Sequence, residues 1–469
     1  LDVQEVFMIR ALRLSPLFGL LTMTAACTGV SLGAGSTSSG CGNGGANKNQ
    51  HGVGDQPGGV QLHAGEIAVA PSGEYVIFQG KDRLAVGFPK TGKVSELPLD
   101  QPTTLAFSKK RDVVYVSSSL DGKVHAIDVV GRKELWATKA AEAETAYVRL
   151  ESSNDDARLI VAGLGNVTLL DAQTGEEVME AAVDQLVIDV KILPDSDRAL
   201  VVLGQTWSDD KDPVPTTRVQ VMELGGGKTH EFTVPNCAST LAITPNGKRA
   251  FLSPTSCNKD PVSLLDLSAD AETWVKNLPG FGPLALGPDG ATAVAFVDTL
   301  NLDEALFDDP AQIPAHGEGD PRYHIMTLDT ETLKYELTPV GDALPRYALT
   351  PDGEVLLVDS AENASATLRL FDTKLHVFRE VTGPQIKLDN FVISSDALHI
   401  YALAPQLVDV NIPAAEASSI LVPFVPTNIN ISPDDQTLFL RHSPTKICVF
   451  SLEKRECRTS FEGDLLATP

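Results

Sequence analysis

One unit recurs along this chain and limits its fold more than any other feature. It consists of a short apolar strand, a tight turn of Pro-Asp/Asn-Gly type, a second apolar strand, a gap, a third strand that often ends in Asp, a polar turn and a fourth strand. The unit around Pro245 shows it in full: Leu241 to Thr244, then Pro245-Asn246-Gly247-Lys248, then Arg249 to Ser253, Val262 to Asp266, and Thr273 to Lys276. Pro presets one backbone angle of such a turn, and Asn and Gly accept the positive angle that follows, so two β-rich runs flanking it form a hairpin. The turn returns at Pro71-Ser72-Gly73, Pro194-Asp195, Pro288-Asp289-Gly290, Pro351-Asp352-Gly353 and Pro433-Asp434-Asp435. Weaker copies stand at Ser108-Lys109, Asn154-Asp155-Asp156 and Ser395-Asp396, which makes nine units. Spacing between successive prolines is 43 residues from Pro245 to Pro288, 51 from Pro194 to Pro245 and 63 from Pro288 to Pro351, with the excess in the gap after the second strand. Third strands close on Asp128, Asp171, Asp266, Asp329 and Asp372. Each carboxylate is expected to accept backbone N–H groups of the turn that follows.

A four-strand unit of this kind exposes an apolar face that it cannot bury alone. Stacking the units radially around an axis buries those faces and leaves only short edges. The sequence offers no helix long enough to cover an open sheet, so the expected fold is all-β: a single β-propeller of four-stranded blades over 61–463, followed by a tail at 464–469. The repeats resemble the Pro-Asp-Gly propellers of the YVTN and lactonase-like group over about 400 residues, and lack the Gly-His and Trp-Asp marks of WD repeats and the Gly-Gly of kelch. Rings of seven or eight blades are commoner in that group. The nine units therefore predict eight or nine blades, or seven if single blades have been divided.

Ahead of the repeats, Met8-Ile9-Arg10-Ala11-Leu12-Arg13 is a short basic stretch, Leu14 to Met23 is apolar, and Thr24-Ala25-Ala26 are small residues before Cys27. That order reads as a secretory signal at 8–26, with Met8 as the start and 1–7 as a start-site artefact. It resembles a bacterial lipoprotein signal, in which Cys27 carries the lipid, although Thr24 stands where that family usually has Leu. Thr28 after the lipid site favours the outer membrane by the same resemblance. The Gly-, Ser- and Asn-rich run over 27–60 cannot bury enough apolar surface to offset the entropy of ordering, and is expected to be a flexible tether. No apolar run reaches the length of about 18 to 20 residues that crosses a bilayer as a helix, the N-terminal one being the nearest candidate.

A formal charge of −25, from 37 basic and 62 acidic residues, repels nucleic acid and anionic membrane faces. The expected partner is an envelope protein or polysaccharide, with the membrane reached only through the lipid. Cys237 and Cys257 flank the hairpin at Pro245, and Cys448 and Cys457 lie on the last two strands; both pairs are placed to form disulfides. Cys41 is left over in the tether.

By alternation of strand direction, the connections after the second and fourth strands emerge on one face of the disc. The long connections of the fourth to sixth units make a candidate binding rim there: Trp207, Asp209, Asp210, Asp308, Asp309, His316, Glu318, Asp320 and His324. Asp303, Asp308 and Asp309 could supply oxygens to calcium, although no EF-hand order is present, and His316 and His324 are a weaker pair for a transition metal. Otherwise no cofactor is expected. Phe307 and Tyr323 serve either as stacking surfaces or as pins for their own loop. No Gly-x-Ser-x-Gly, His-Glu-x-x-His or phosphate loop is present, and Gly225-Gly226-Gly227-Lys228 lies between strands with no helix behind it. The sequence therefore leans towards a non-catalytic binding propeller. The lactonase-like resemblance implies the alternative of an envelope hydrolase or lyase with acids and histidines in the central channel, and none of its residues maps onto this chain.

Overall fold

The computed structural model describes residues 60, 61 and 67–466 apart from 80–82, 140–147, 196, 207–215, 227, 235–237, 255–260, 269–272, 303–306, 308–316, 318, 361–367, 387–389, 405 and 464–465. The described residues are all-β, with no α-helix, and the fold is a β-propeller. The blades span 67–100, 102–139, 149–186, 187–234, 238–278, 281–341, 345–380, 391–420 and 428–462, and are numbered 1 to 9 in that order. Hydrogen bonding joins them into eight sheets, because blades 3 and 4 share one long strand. Glu177–Ile192 is the outer strand of blade 3 up to Leu186, which faces Leu164, and the inner strand of blade 4 from Val187, which faces Leu203. Its sequence holds no Gly or Pro to break it.

Burial decides which edge of each blade faces the axis. First strands are largely buried, as in Pro102–Phe107 and Phe391–Ile393, and come close to the first strands of neighbouring blades. Fourth strands such as Lys133–Lys139 and Val377–Glu380 are largely exposed and form the outer wall. Apolar side chains between blades make a chain of cores rather than one centre. Blade 9 closes on blade 1 through Phe439, Ile447 and Phe461 against Ile67, Val76 and Phe78. The Asn430 amide also donates to the Ile67 carbonyl at 2.7 Å, across 363 residues of sequence.

The first turn of each blade behaves as its sequence predicts. In blade 5 the Thr244 hydroxyl donates to Asn246 Oδ1 at 2.8 Å and accepts the Arg249 N–H at 3.1 Å, while Gly247 takes φ of 67°. The turns also touch one another around the ring. A Cβ on Gly73, Gly247, Gly290 or Gly353 would lie 2.4 to 3.2 Å from Cδ of the preceding blade's proline, namely Pro433, Pro194, Pro245 or Pro288. Lys109 and Ser395 stand where other turns have proline, so each keeps an N–H. In the next blade Asp156 or Asp435 replaces the glycine and accepts that N–H, at 3.3 Å from Lys109 and 2.8 Å from Ser395.

The carboxylates that end the third strands also act as expected. Asp171 accepts the N–H groups of Gln173 and Thr174, Asp329 those of Glu331 and Thr332, and Asp372 those of Lys374 and Leu375. The Cys448–Cys457 disulfide is formed, with the Cα atoms 5.7 Å apart, and ties the last two strands of blade 9. Cys237 and Cys257, like Cys27 and Cys41, lie outside the described residues.

Candidate functional site: the insertion face

Strand alternation gives the disc two unlike faces. One carries the turns between first and second strands and between third and fourth strands, all short; this is the tight-turn face. At the other, second strands end, third strands begin and successive blades are linked; the longest gaps in sequence between a second and a third strand, after Thr206, Pro254, Asp298 and Ser360, start from this face, which is called the insertion face.

The base of the longest connection is pinned at blade 6. Asp298, fully buried at the end of its strand, takes both Arg322 Nε at 3.0 Å and Arg322 Nη2 at 2.7 Å, and also Asn301 Nδ2 at 2.7 Å. A two-pronged guanidinium–carboxylate contact with this much burial fixes where the connection leaves and returns. Arg322 also lies over the Tyr323 ring at 4.8 Å. Tyr323 is 3% exposed and Phe307 8%, so both pack inside the protein rather than offering a stacking surface.

Of the predicted rim, Asp320 and His324 are described. Asp320 closes a turn by accepting the Gly317 N–H at 2.7 Å. His324 is half-buried within the third strand of blade 6, paired across to Val297 and Pro339. The structure does not bring the two into one cluster. Trp207, Asp209, Asp210, Asp308, Asp309, His316 and Glu318, with the calcium candidate Asp303, lie outside the described residues. Among the described residues, no group of three or more His, Cys, Asp or Glu side chains is arranged to hold a metal ion.

A cleft that sequence reasoning missed lies at the insertion-face end of the seam between blades 1 and 2. It holds about 430 Å³. Arg83 and the 96–100 segment of the fourth strand supply one wall, and Ser118, Leu120, Asp121 and His125 of blade 2 the other. Arg83 pairs with Glu96 at 2.7 Å. His125 is 6% exposed and held on both ring nitrogens, by Glu134 at 2.7 Å and Asp121 at 3.3 Å. With both nitrogens engaged, the imidazole presents no free nitrogen to a reacting group and instead fixes the Asp121 carboxylate. Glu96, Asp100 and Asp121 put three carboxylates beside the apolar Leu97, Pro98, Leu99 and Leu120, so the cleft offers acceptors to hydroxyl- or amine-bearing groups. No motif announces this site, because its residues come from two units at positions that the repeat leaves free.

The inner strands carry ionisable groups as well, and two of them, Arg149 and Asp189, reach the next blade. Arg149 of blade 3 donates from Nε to the Ile188 carbonyl of blade 4 at 3.0 Å. Asp189 of blade 4 accepts the Val190 N–H at 2.8 Å and reaches the Leu241 N–H of blade 5. Burial pushes its carboxyl above the ordinary range, and Lys191, Arg149 and those N–H groups oppose the shift. Arg346 and Asp359 pair within blade 7, and Thr104 donates to the Val148 carbonyl at 2.8 Å.

No family model matches the chain, and no curated protein matches it. Solved structures do. A crystal structure of the eukaryotic initiation factor is similar at a TM-score of 0.54, with 13% identity, over 74% of this chain and 84% of that one. The Myceliophteria thermophila Cps50 (Swd1) β-propeller domain is similar at 0.37, with 13% identity, over 65% and 93%. The dihydro-heme d1 dehydrogenase NirN in complex with DHE is similar at 0.49, with 15% identity, over 77% and 77%. At such identities the likeness is one of fold.

Proposed function

We propose that the chain is an exported, lipid-anchored propeller of the bacterial cell envelope that binds an envelope protein or polysaccharide through its insertion face and performs no catalysis. The observation that carries this reading is the asymmetry of the disc: long connections and the acceptor-rich cleft share one face, while the other is closed by short turns. Loops raised on a rigid scaffold are where binding residues concentrate. The membrane is reached through the lipid on Cys27, at the outer membrane, and calcium in the acidic 303–309 stretch is the one cofactor the reading admits. The inner-strand groups Arg149, Asp189 and Arg346 have structural partners, the last of them Asp359 on the second strand of blade 7, which supports binding over a channel-centred hydrolase or lyase of the lactonase-like kind.

Chemical crosslinking in the native envelope, followed by identification of the captured molecules, tests the reading. A specific protein or glycan captured reproducibly supports it, whereas hydrolysis of lactones by the purified protein would replace it. Cys27→Ala is expected to release the protein from the membrane and lower its mass by the lipid. Unchanged mass and membrane association would remove the anchor from the account.

A further inference from the structure

Val60–Gln61 is a two-residue strand that belongs to no blade. It pairs antiparallel with the first strand of blade 2, Val60 opposite Leu105 and Gln61 opposite Thr104. That strand's other edge is taken by Val113–Ser118, so the added strand lies on the edge that faces the axis. Direction follows from the ring. Pro102–Phe107 runs from the insertion face to its turn at 108–112 on the tight-turn face. An antiparallel partner runs the other way and ends towards the insertion face. Blade 1 starts on that same face with Ile67–Val69, and the five residues between can span at most about 17 Å, enough to reach the neighbouring blade.

From this geometry we infer that the N-terminal segment completes the channel wall by strand addition, and that the chain leading into Val60 enters the channel from the tight-turn face. The segment pairs with the inner edge of blade 2 as an extended peptide does at an open sheet edge. Val60 lies opposite Leu105, two residues short of the end of that strand, so its N-terminal side is about 7 Å from the tight-turn rim. The consequence rests on the binding reading above: a chain that enters by the tight-turn face leaves the cleft at the insertion face clear for a partner.

The test uses the purified full chain without membranes, so its result is independent of whether a partner or a lipid exists. Cys27, Cys41, Cys237 and Cys257 are changed to Ser, and spin labels are placed on Gln56→Cys together with either Lys110→Cys on the tight-turn face or Ser119→Cys on the insertion face. The label distance to position 110 is expected to be shorter than that to position 119 by about 15 Å, within the length of about 20 Å of the six-residue strand between them. Equal distances, or the reverse order, overturn the inference. Hydrogen exchange on the unaltered chain gives a second reading should the substituted protein fold poorly. Slowed exchange in the peptide covering Val60–Gln61 is expected, and exchange at the rate of a free peptide overturns the pairing.

Discussion

Single residues in the first turns set how neighbouring blades meet. At four seams the glycine of one turn lies against the proline ring of the turn before it; at two others, where Lys109 or Ser395 offers an N–H instead, an aspartate accepts it. A Cβ on Gly290 would sit 2.4 Å from Pro245 Cδ, on a backbone at φ of 69°. Gly290→Ala is therefore expected to cost about 2–3 kcal/mol, read as a lowered urea midpoint. Asp156, 4% exposed, takes the Ser108 hydroxyl at 2.8 Å and Arg111 Nε at 2.6 Å as well as the Lys109 N–H. Asp156→Ala strands those donors, and a loss of about 2–4 kcal/mol is expected in the same measurement. The third-strand carboxylates add a pH dependence. Backbone N–H groups hold Asp171 and Asp329 below the usual carboxylate range, with Thr174 and Thr332 the largest causes, and the Ser268 hydroxyl does the same for Asp266. Their folded values are depressed, so their contribution is full above the unfolded value of about 4 and is lost as pH falls through the lower folded value. A variant with Asn at all three positions is expected to lose less stability between pH 5 and 3 than the parent; an equal loss would contradict the assignment.

At the scale of strands and turns, most of the fold could be read in the sequence, because the turn chemistry is local. Pro-Asn-Gly at 245–247 and its copies need no tertiary information, and the nine units they mark are the nine blades. The shared strand 177–192 makes the number of sheets smaller than the number of units, and no turn residue within it marks where one blade ends. The roles of Arg149 and Asp189 were not legible. In sequence they alternate with apolar neighbours like any solvent-facing residue, and only the next blade's open backbone edge supplies their partners. The cleft was hidden for the same reason, since Glu96 and His125 belong to different units. The rim was drawn from loop length and charge, which give the face but not the contacts; Asp320 and His324 turn out to serve a turn and a strand.

Over the whole molecule, the ring closes with no strand shared between its ends: blade 9 meets blade 1 through side chains. Asn430 is 2% exposed, and its amide holds the Ile67 carbonyl. Asn430→Ala is expected to cost about 1–2 kcal/mol, with the seam between blades 9 and 1 showing the largest rise in hydrogen exchange. Under the proposed binding reading, the net charge of −25 disfavours anionic polymers, and the partner would bring cationic or hydroxyl groups to Glu96, Asp100 and Asp121. On the proposed function, a partner engages the insertion face and leaves the tight-turn face free. Site-specific photo-crosslinking in the native envelope tests it most directly, with the reactive group at Leu120 beside the cleft or at Asn246 on the tight-turn face. A partner captured from Leu120 and not from Asn246 is the predicted result. Capture from Asn246 alone, or equally from both, would contradict it.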